Sequence, residues 1–251
     1  MEAEQLLTCA LDIGEQMLMS GAEIYRVEDS IKRMCHALGA KRVDVFIITS
    51  SMIVTVYDAE DHPFTQTRRI LSSGTDIERL HRLNELSRKI CTKALTTEQI
   101  RAEYDEIMRT YSYPFWVSCL SYAVIASSFA LFFGGGVWDA LIAAFVGALM
   151  KFVVALSDKT LMNKIFSRLA ATFLACAVTF VTVKLGWLAN IDKVIIGTIM
   201  LLIPGVGLTN ALRDLFTGDS VAGLLRLIDA MLTALAIAAG YFLFVCTLGG
   251  L

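Results

Sequence analysis

The chain has 251 residues, of which 56% are apolar and 18% charged. With a mean hydropathy of +0.62 it is too apolar for an ordinary soluble fold, and disorder is excluded for most of its length. A net charge of −2, from 22 basic and 24 acidic side chains, gives no basic surplus to suit nucleic acid. The charges are unevenly spread, with 32 in positions 1–111 and 14 in positions 112–251. The sequence therefore predicts two domains, a polar one over residues 1–111 and a membrane domain over residues 112–251. Residues 1–20 hold Glu2, Glu4, Asp12 and Glu15 where a cleavable signal would need a basic stretch followed by an apolar one.

Residues 3–38 carry apolar positions at helical spacing, Leu6, Ala10, Ile13 and Met17, then Ile24, Val27, Ile31 and Met34. Ser20-Gly21 interrupts the run and Gly39 closes it. Glu28 with Lys32 and Asp29 with Arg33 are spaced as i,i+4 pairs. Short β-rich runs follow at Val43 to Thr49, Met52 to Asp58 and Phe64 to Leu71, with a turn at Asp58 to Pro63. Helical spacing returns over Asp76 to Ala94 and Glu98 to Tyr111. The prediction is a small cytoplasmic α+β domain, in which Glu23, Arg26 and Glu28, in a dense polar block at the Ser20-Gly21 break, suit a gate or docking surface.

Five apolar runs follow: Phe115 to Phe133, Val137 to Leu156, Leu169 to about Ala189, about Val194 to Leu212, and about Gly223 to Cys246. Each is near the length of about 20 residues that a bilayer core requires, which predicts a membrane α-helical bundle of five transmembrane helices. Lys159, Lys164 and Arg168 between the second and third runs, and Arg213 between the fourth and fifth, place those loops and the N-terminal domain in the cytoplasm. Lys193 is a vote against this, and the orientation puts Leu251 outside. Stripes of small residues mark helix contacts: Ala140, Ala144 and Ala148 beside Gly147, Ala171 with Ala175, and Ala236 with Gly240.

The fourth run contains Ile203-Pro204-Gly205-Val206-Gly207. Proline removes a backbone donor, and non-helical backbone at membrane depth is tolerated only against protein or along a polar cavity. Pro204, Gly205, Thr209, Asn210, Arg213 and Asp214 are thus candidate substrate-binding residues, a half-helix N-terminus with an amide and a guanidinium that suit a carboxylate. The alternative is a proline kink with an interfacial Arg-Asp cluster. In the fifth run Arg226 and Asp229 lie three residues apart, close enough to pair, and Asp229 is the preferred proton-linked or substrate-linked carboxylate, with an interfacial ion pair as its alternative.

Nothing points to catalysis, a cofactor or a metal. There is no Gly-x-Ser-x-Gly elbow, phosphate-binding glycine loop or His-Glu-x-x-His, and His36, His62 and His81 share no ligand spacing. The six cysteines, at 9, 35, 91, 119, 176 and 246, form no Cys-x-x-Cys pair.

Ser20-Gly21-Ala22-Glu23 followed by Arg26-Val27-Glu28, and later Pro204-Gly205, Thr209-Asn210, Arg213-Asp214 and Gly218-Asp219, resemble the threonine/serine exporter family. The resemblance is to its N-terminal module, a cytoplasmic region followed by five helices. It implies export of small polar metabolites through the cell (inner) membrane, threonine and serine in some members and C4-dicarboxylates such as succinate in split versions, driven by the proton gradient. Full-length members continue into a second membrane domain. This chain resembles the larger component of the split form, which implies a second small membrane subunit or a homo-oligomer as partner. A reading from another class is a membrane-tethered signalling or assembly protein whose cytoplasmic domain is the working part.

Overall fold

The computed structural model describes residues 2–71, 74–93, 95–109, 113–159, 163–187 and 190–248. The chain divides into two compact units, Met1–Tyr111 with Val206–Leu227, and Ser112–Gly205 with Ile228–Leu251. The first break falls between Tyr111 and Ser112. Residues 206–227, expected inside the membrane domain, instead group with the N-terminal residues.

In the first unit, α1 (Glu2–Met19) and α2 (Ile24–Ala37) are two amphipathic helices joined by a tight turn. Ile24, Val27, Ile31 and Met34 of α2 are fully buried, the stripe that their spacing predicts. They pack with Leu7, Leu11, Ile13 and Met17 of α1 in one core. Three antiparallel strands follow, β1 (Arg42–Ile48), β2 (Ser51–Tyr57) and β3 (Pro63–Arg69), in the order β1-β2-β3. Strict alternation sends Val43, Ile47, Met52, Val54 and Val56 into the core, while the paired Phe46 and Ile53 stay on the open face. The inward residues of β3 are Phe64, which packs against that core, and two polar residues that reach α1: Gln66 donates to Thr8 at 3.0 Å and Arg68 to Asp12 at 3.3 Å. Helices α3 (Ile77–Thr92) and α4 (Thr97–Arg109) complete this part, with Leu83, Leu86 and Ile100 in the same core. The expected ends at Ala94, Tyr111 and Ala189, and the tail at Leu251, lie outside the described residues.

The second unit holds α5 (Phe115–Phe132), α6 (Val137–Lys159), α7 (Lys164–Lys184), α8 (Ile191–Ile199) and the later part of α10 (Ser220–Thr247). Small residues set the contacts. A Cβ on Gly147 of α6 would stand 2.7 Å from the Tyr122 carbonyl of α5, and one on Gly197 of α8 would stand 2.8 Å from the Ala126 carbonyl. Ala171 and Ala175 of α7 are buried with Val146, Met150 and Ile237, as their stripe predicts. The packed row on α6 is Ala140, Ala143 and Gly147, since Ala144 and Ala148 are only half-buried.

Among the described residues four helices, not five, are long and apolar enough to cross a membrane: Phe115–Phe132, Val137–Ser157, Lys164–Lys184 and Ser220–Thr247. The fourth predicted span is two helices. α8 covers nine residues, roughly 13 Å against a hydrocarbon core of about 30 Å, and it ends before Pro204. α9 (Gly205–Thr217) begins after the break and belongs, from Val206 on, to the first unit. Lys164 and Arg168, expected in a loop, lie within the first turns of α7.

Candidate functional site

The break between α1 and α2 is a helix stop built on glycine. Ala22 N–H donates to the Met17 carbonyl at 3.0 Å and Gly21 N–H to that of Leu18 at 3.1 Å, the paired bonds of a Schellman motif. Gly21 has φ +96°, and a Cβ there would sit 2.9 Å from the Gly74 carbonyl. Segment 74–76 clamps the turn from one side, as Gly74 N–H donates to Met19 O and Asp76 N–H to Ser20 O. The Gly21 and Ala22 carbonyls take no part in that clamp and accept from side chains.

The α9–α10 turn supplies their donors. Asn210 Nδ2 donates to the Gly21 carbonyl at 3.1 Å, and Arg226 Nη2 to the Ala22 carbonyl at 2.7 Å. Arg213 Nη1 forms an ion pair with Glu23. Close packing brings these side chains to bear: Ala222 joins the core of α1, α2 and the sheet. A Cβ on Gly223 would stand 2.8 Å from Leu215 N and 2.9 Å from the Ala211 carbonyl. Only glycine lets α10 approach α9 this closely.

Asp214 sits at the centre of this arrangement. It is 1% exposed, and Arg226 Nε stands 3.3 Å from its Oδ2. That approach lacks hydrogen-bond alignment, and Oδ2 accepts no hydrogen bond among the described residues. The backbone amide of Ile24, first residue of α2, favours the carboxylate, as does the positive end of that helix. Glu23, the N-cap of α2, makes no side-chain cap bond of its own, so Asp214 stands in from another helix. Burial nevertheless dominates and pushes the Asp214 carboxyl above its ordinary 3.8; Arg226 and the Ile24 amide oppose this, while Asp219 and Glu23 add to it.

The structure thus brings together Glu23, Asn210, Arg213, Asp214 and Arg226. Glu28 lies nearby on α2, 3.9 Å from Lys32, with its carboxyl raised by burial and by the Asp219 charge. Arg26 is exposed, with no ion pair among the described residues, and Thr209 is exposed one position before Asn210. Pro204 and Gly205 are grouped with the second unit, as is Asp229, which is exposed. The expected Arg226–Asp229 pair does not form, because Arg226 is taken up by Asp214 and Ala22. Sequence reasoning missed the carbonyls of Gly21 and Ala22, the Ile24 amide and Asp219. Backbone acceptors carry no side-chain signal, although the Gly21 break marked their position.

Two other places gather candidate groups. An apolar groove of about 600 Å³ in the second unit is lined by Trp138, Leu141, Ile142, Phe145, Thr182, Gly186 and Trp187. Its lining among the described residues has no ionisable side chain to pair with a charged metabolite. Asp58, Glu60 and His62 bring potential ligand atoms within 4.8 Å of one another on an exposed turn. Asp58 Oδ1 there already accepts the Glu60 and His62 amides, at 3.0 and 2.8 Å, to close that turn.

The chain is similar to known exporters over nearly its whole length. It is 25% identical over 244 residues to the "Probable threonine/serine exporter" of Mycobacterium tuberculosis, covering 96% of this chain and 46% of that protein. It is 23% identical over 243 residues to the "Threonine/serine exporter" of Corynebacterium glutamicum, covering 94% and 50%. It is 24% identical over 238 residues to the "Probable succinate transporter subunit YjjP" of Escherichia coli, covering 92% and 90%. The chain therefore spans about half the length of the two exporters and most of the transporter subunit. No solved structure matches. The profile of the threonine/serine exporter family matches residues 8–249, and the chain belongs to that family.

Proposed function

We propose that this chain is one component of a proton-coupled secondary exporter of small polar carboxylates, either threonine/serine-type amino acids or succinate-type dicarboxylates. It works in the inner membrane as a multi-pass protein with residues 1–111 on the cytoplasmic side. A second, small membrane subunit completes it, the role that further sequence plays in relatives of twice the length. Family membership supports export, and the transporter subunit of similar length supports the two-component reading.

The observation that carries the reading is the division of the fourth apolar run. α8 packs among the membrane helices and stops at Ile199, while Asn210, Arg213 and Asp214, past Pro204, are engaged with the Ser20–Glu23 turn. A plain anchor has no use for a helix broken in this way, whereas a transporter needs a discontinuous element that its other parts can hold or release. Arg213 of α9 and Asp229 of α10 are the proposed substrate-linked groups.

The test is efflux of threonine and of succinate from loaded liposomes carrying the chain and its membrane partner. Arg213→Ala and Asp229→Asn should each abolish efflux while the protein still inserts. Retained efflux in both variants rejects the site assignment, and absence of efflux of either metabolite by the unaltered complex rejects the exporter reading for these substrates.

A further inference from the structure

We propose that Asp214 is a proton-binding site of this chain, and that a proton taken up there accompanies seating of the α9–α10 turn against the α1–α2 break. The inference rests on the reading of the chain as part of a proton-coupled exporter, and it moves the proton from Asp229 to a residue enclosed by protein. Asp214 has the three attributes such a site needs. It is 1% exposed, one carboxylate oxygen accepts no hydrogen bond among the described residues, and the cation among the charges around it, Arg226, is shared with the Ala22 carbonyl.

Those charges come from every element packed on it. Arg226 of α10 and the Ile24 amide at the start of α2 favour the ionised form, while Glu23 ahead of α2 and Asp219 in the α9–α10 turn oppose it. Arg213 is committed to Glu23, and Glu28 of α2 adds its charge beside Asp219. A single cation that also serves the Ala22 carbonyl does not offset both the burial and the two acids.

The direction of the linkage follows. The seated state holds the Asp214 proton more tightly than an unseated state in which the carboxyl meets water, so by reciprocity a proton favours seating. Neutralising Asp214 does not detach α10, because Arg226 keeps its bond to Ala22 and Asn210 its bond to Gly21. Loss of the proton leaves a buried carboxylate with incomplete partners, and that favours release. Asp229, exposed on the second unit, has no comparable enclosure.

The experiment is an infrared titration of the full chain in phosphatidylethanolamine/phosphatidylglycerol liposomes, without substrate, following the carboxylic-acid C=O stretch. In a Glu15→Gln, Glu28→Gln background, which removes the two other carboxyls that burial raises, one such band should persist above the pH at which an ordinary aspartate ionises; adding Asp214→Asn should remove it and adding Asp229→Asn should keep it. Arg226→Gln should move its disappearance to higher pH, which tests the site even if Asp214→Asn fails to fold. A missing band, a band that survives Asp214→Asn, a band lost with Asp229→Asn, or an unmoved titration in Arg226→Gln overturns the proposal. Efflux assays on the same liposomes with the partner present separate the two readings. Efflux without the Asp214 band overturns the proton site alone, and the band without efflux overturns the exporter reading alone.

Discussion

Arg226 pairs with Asp214 on the neighbouring helix, at 3.3 Å, and not with Asp229 three positions along its own helix. The helix spacing permits either partner. The choice is made by the Ala22 carbonyl, which draws the guanidinium toward α2 at 2.7 Å and away from Asp229. One cation thereby ties α10 to both α9 and the turn before α2.

Removing that cation leaves Asp214 buried without its counter-charge. Arg226→Ala should cost roughly 3–5 kcal/mol, the usual loss when one partner of a buried pair is deleted. Asp229→Asn, at a carboxyl that does not pair with Arg226, should cost markedly less. Thermal unfolding of the purified protein in one detergent compares the two, and equal losses would contradict the pairing seen here.

Gly21→Ala tests the turn itself. Alanine is strained at φ +96°, and its Cβ would press on the Gly74 carbonyl at 2.9 Å. A loss of about 1–3 kcal/mol is expected in denaturant unfolding. Glycine at 39, also at positive φ but with open space around it, should tolerate alanine better, at about 1 kcal/mol.

Glu15 and Glu28 are both raised above 4.5 by burial, and the charges of Arg68 and Lys32 only partly offset this. For a raised carboxyl, the stabilising contribution is fully present below the unfolded value of 4.5 and is lost as pH rises through the folded value. Glu28→Gln removes one such group. Its Tm relative to the unaltered chain should therefore climb as pH is raised from about 4 to 8. A constant difference across that range would show that Glu28 does not titrate within the fold.

Cysteine labelling reports both burial and sidedness. Cys35 is buried, and burial pushes its thiol up to about 12, so it should stay unreactive in the folded protein. Cys91 is exposed and should be labelled. With a membrane-impermeant maleimide on intact cells, a chain in which Cys91 is kept and Cys119 and Cys246 are replaced by serine should react only after permeabilisation; reaction without it would reverse the proposed orientation of residues 1–111.

Much of the local structure was legible in the sequence. The 3.6-residue period of Ile24, Val27, Ile31 and Met34 gave α2 its buried face, and the three β-rich runs fell within a residue or two of the observed strands. The apolar runs at 115–133, 137–156 and 223–246 were found as helices. Residues 194–212 were expected as one span broken at Pro204-Gly205, and the break falls there, but α8 covers only nine residues and α9 groups with the first unit, which no local pattern signals. The Ser20–Glu23 and Pro204–Asp214 motifs were visible, but not that they meet.

The sequence by itself determined which residues turn inward and where helices stop, since periodicity, glycine and proline act over a few residues. Tertiary structure alone decided that Asn210, Arg213 and Arg226 serve the turn at Gly21, Ala22 and Glu23, about 190 to 200 positions away. Periodicity marks a face as buried without naming what buries it. The acceptors at Gly21 and Ala22 are backbone carbonyls that every residue carries, so only the folded path of the chain selects them.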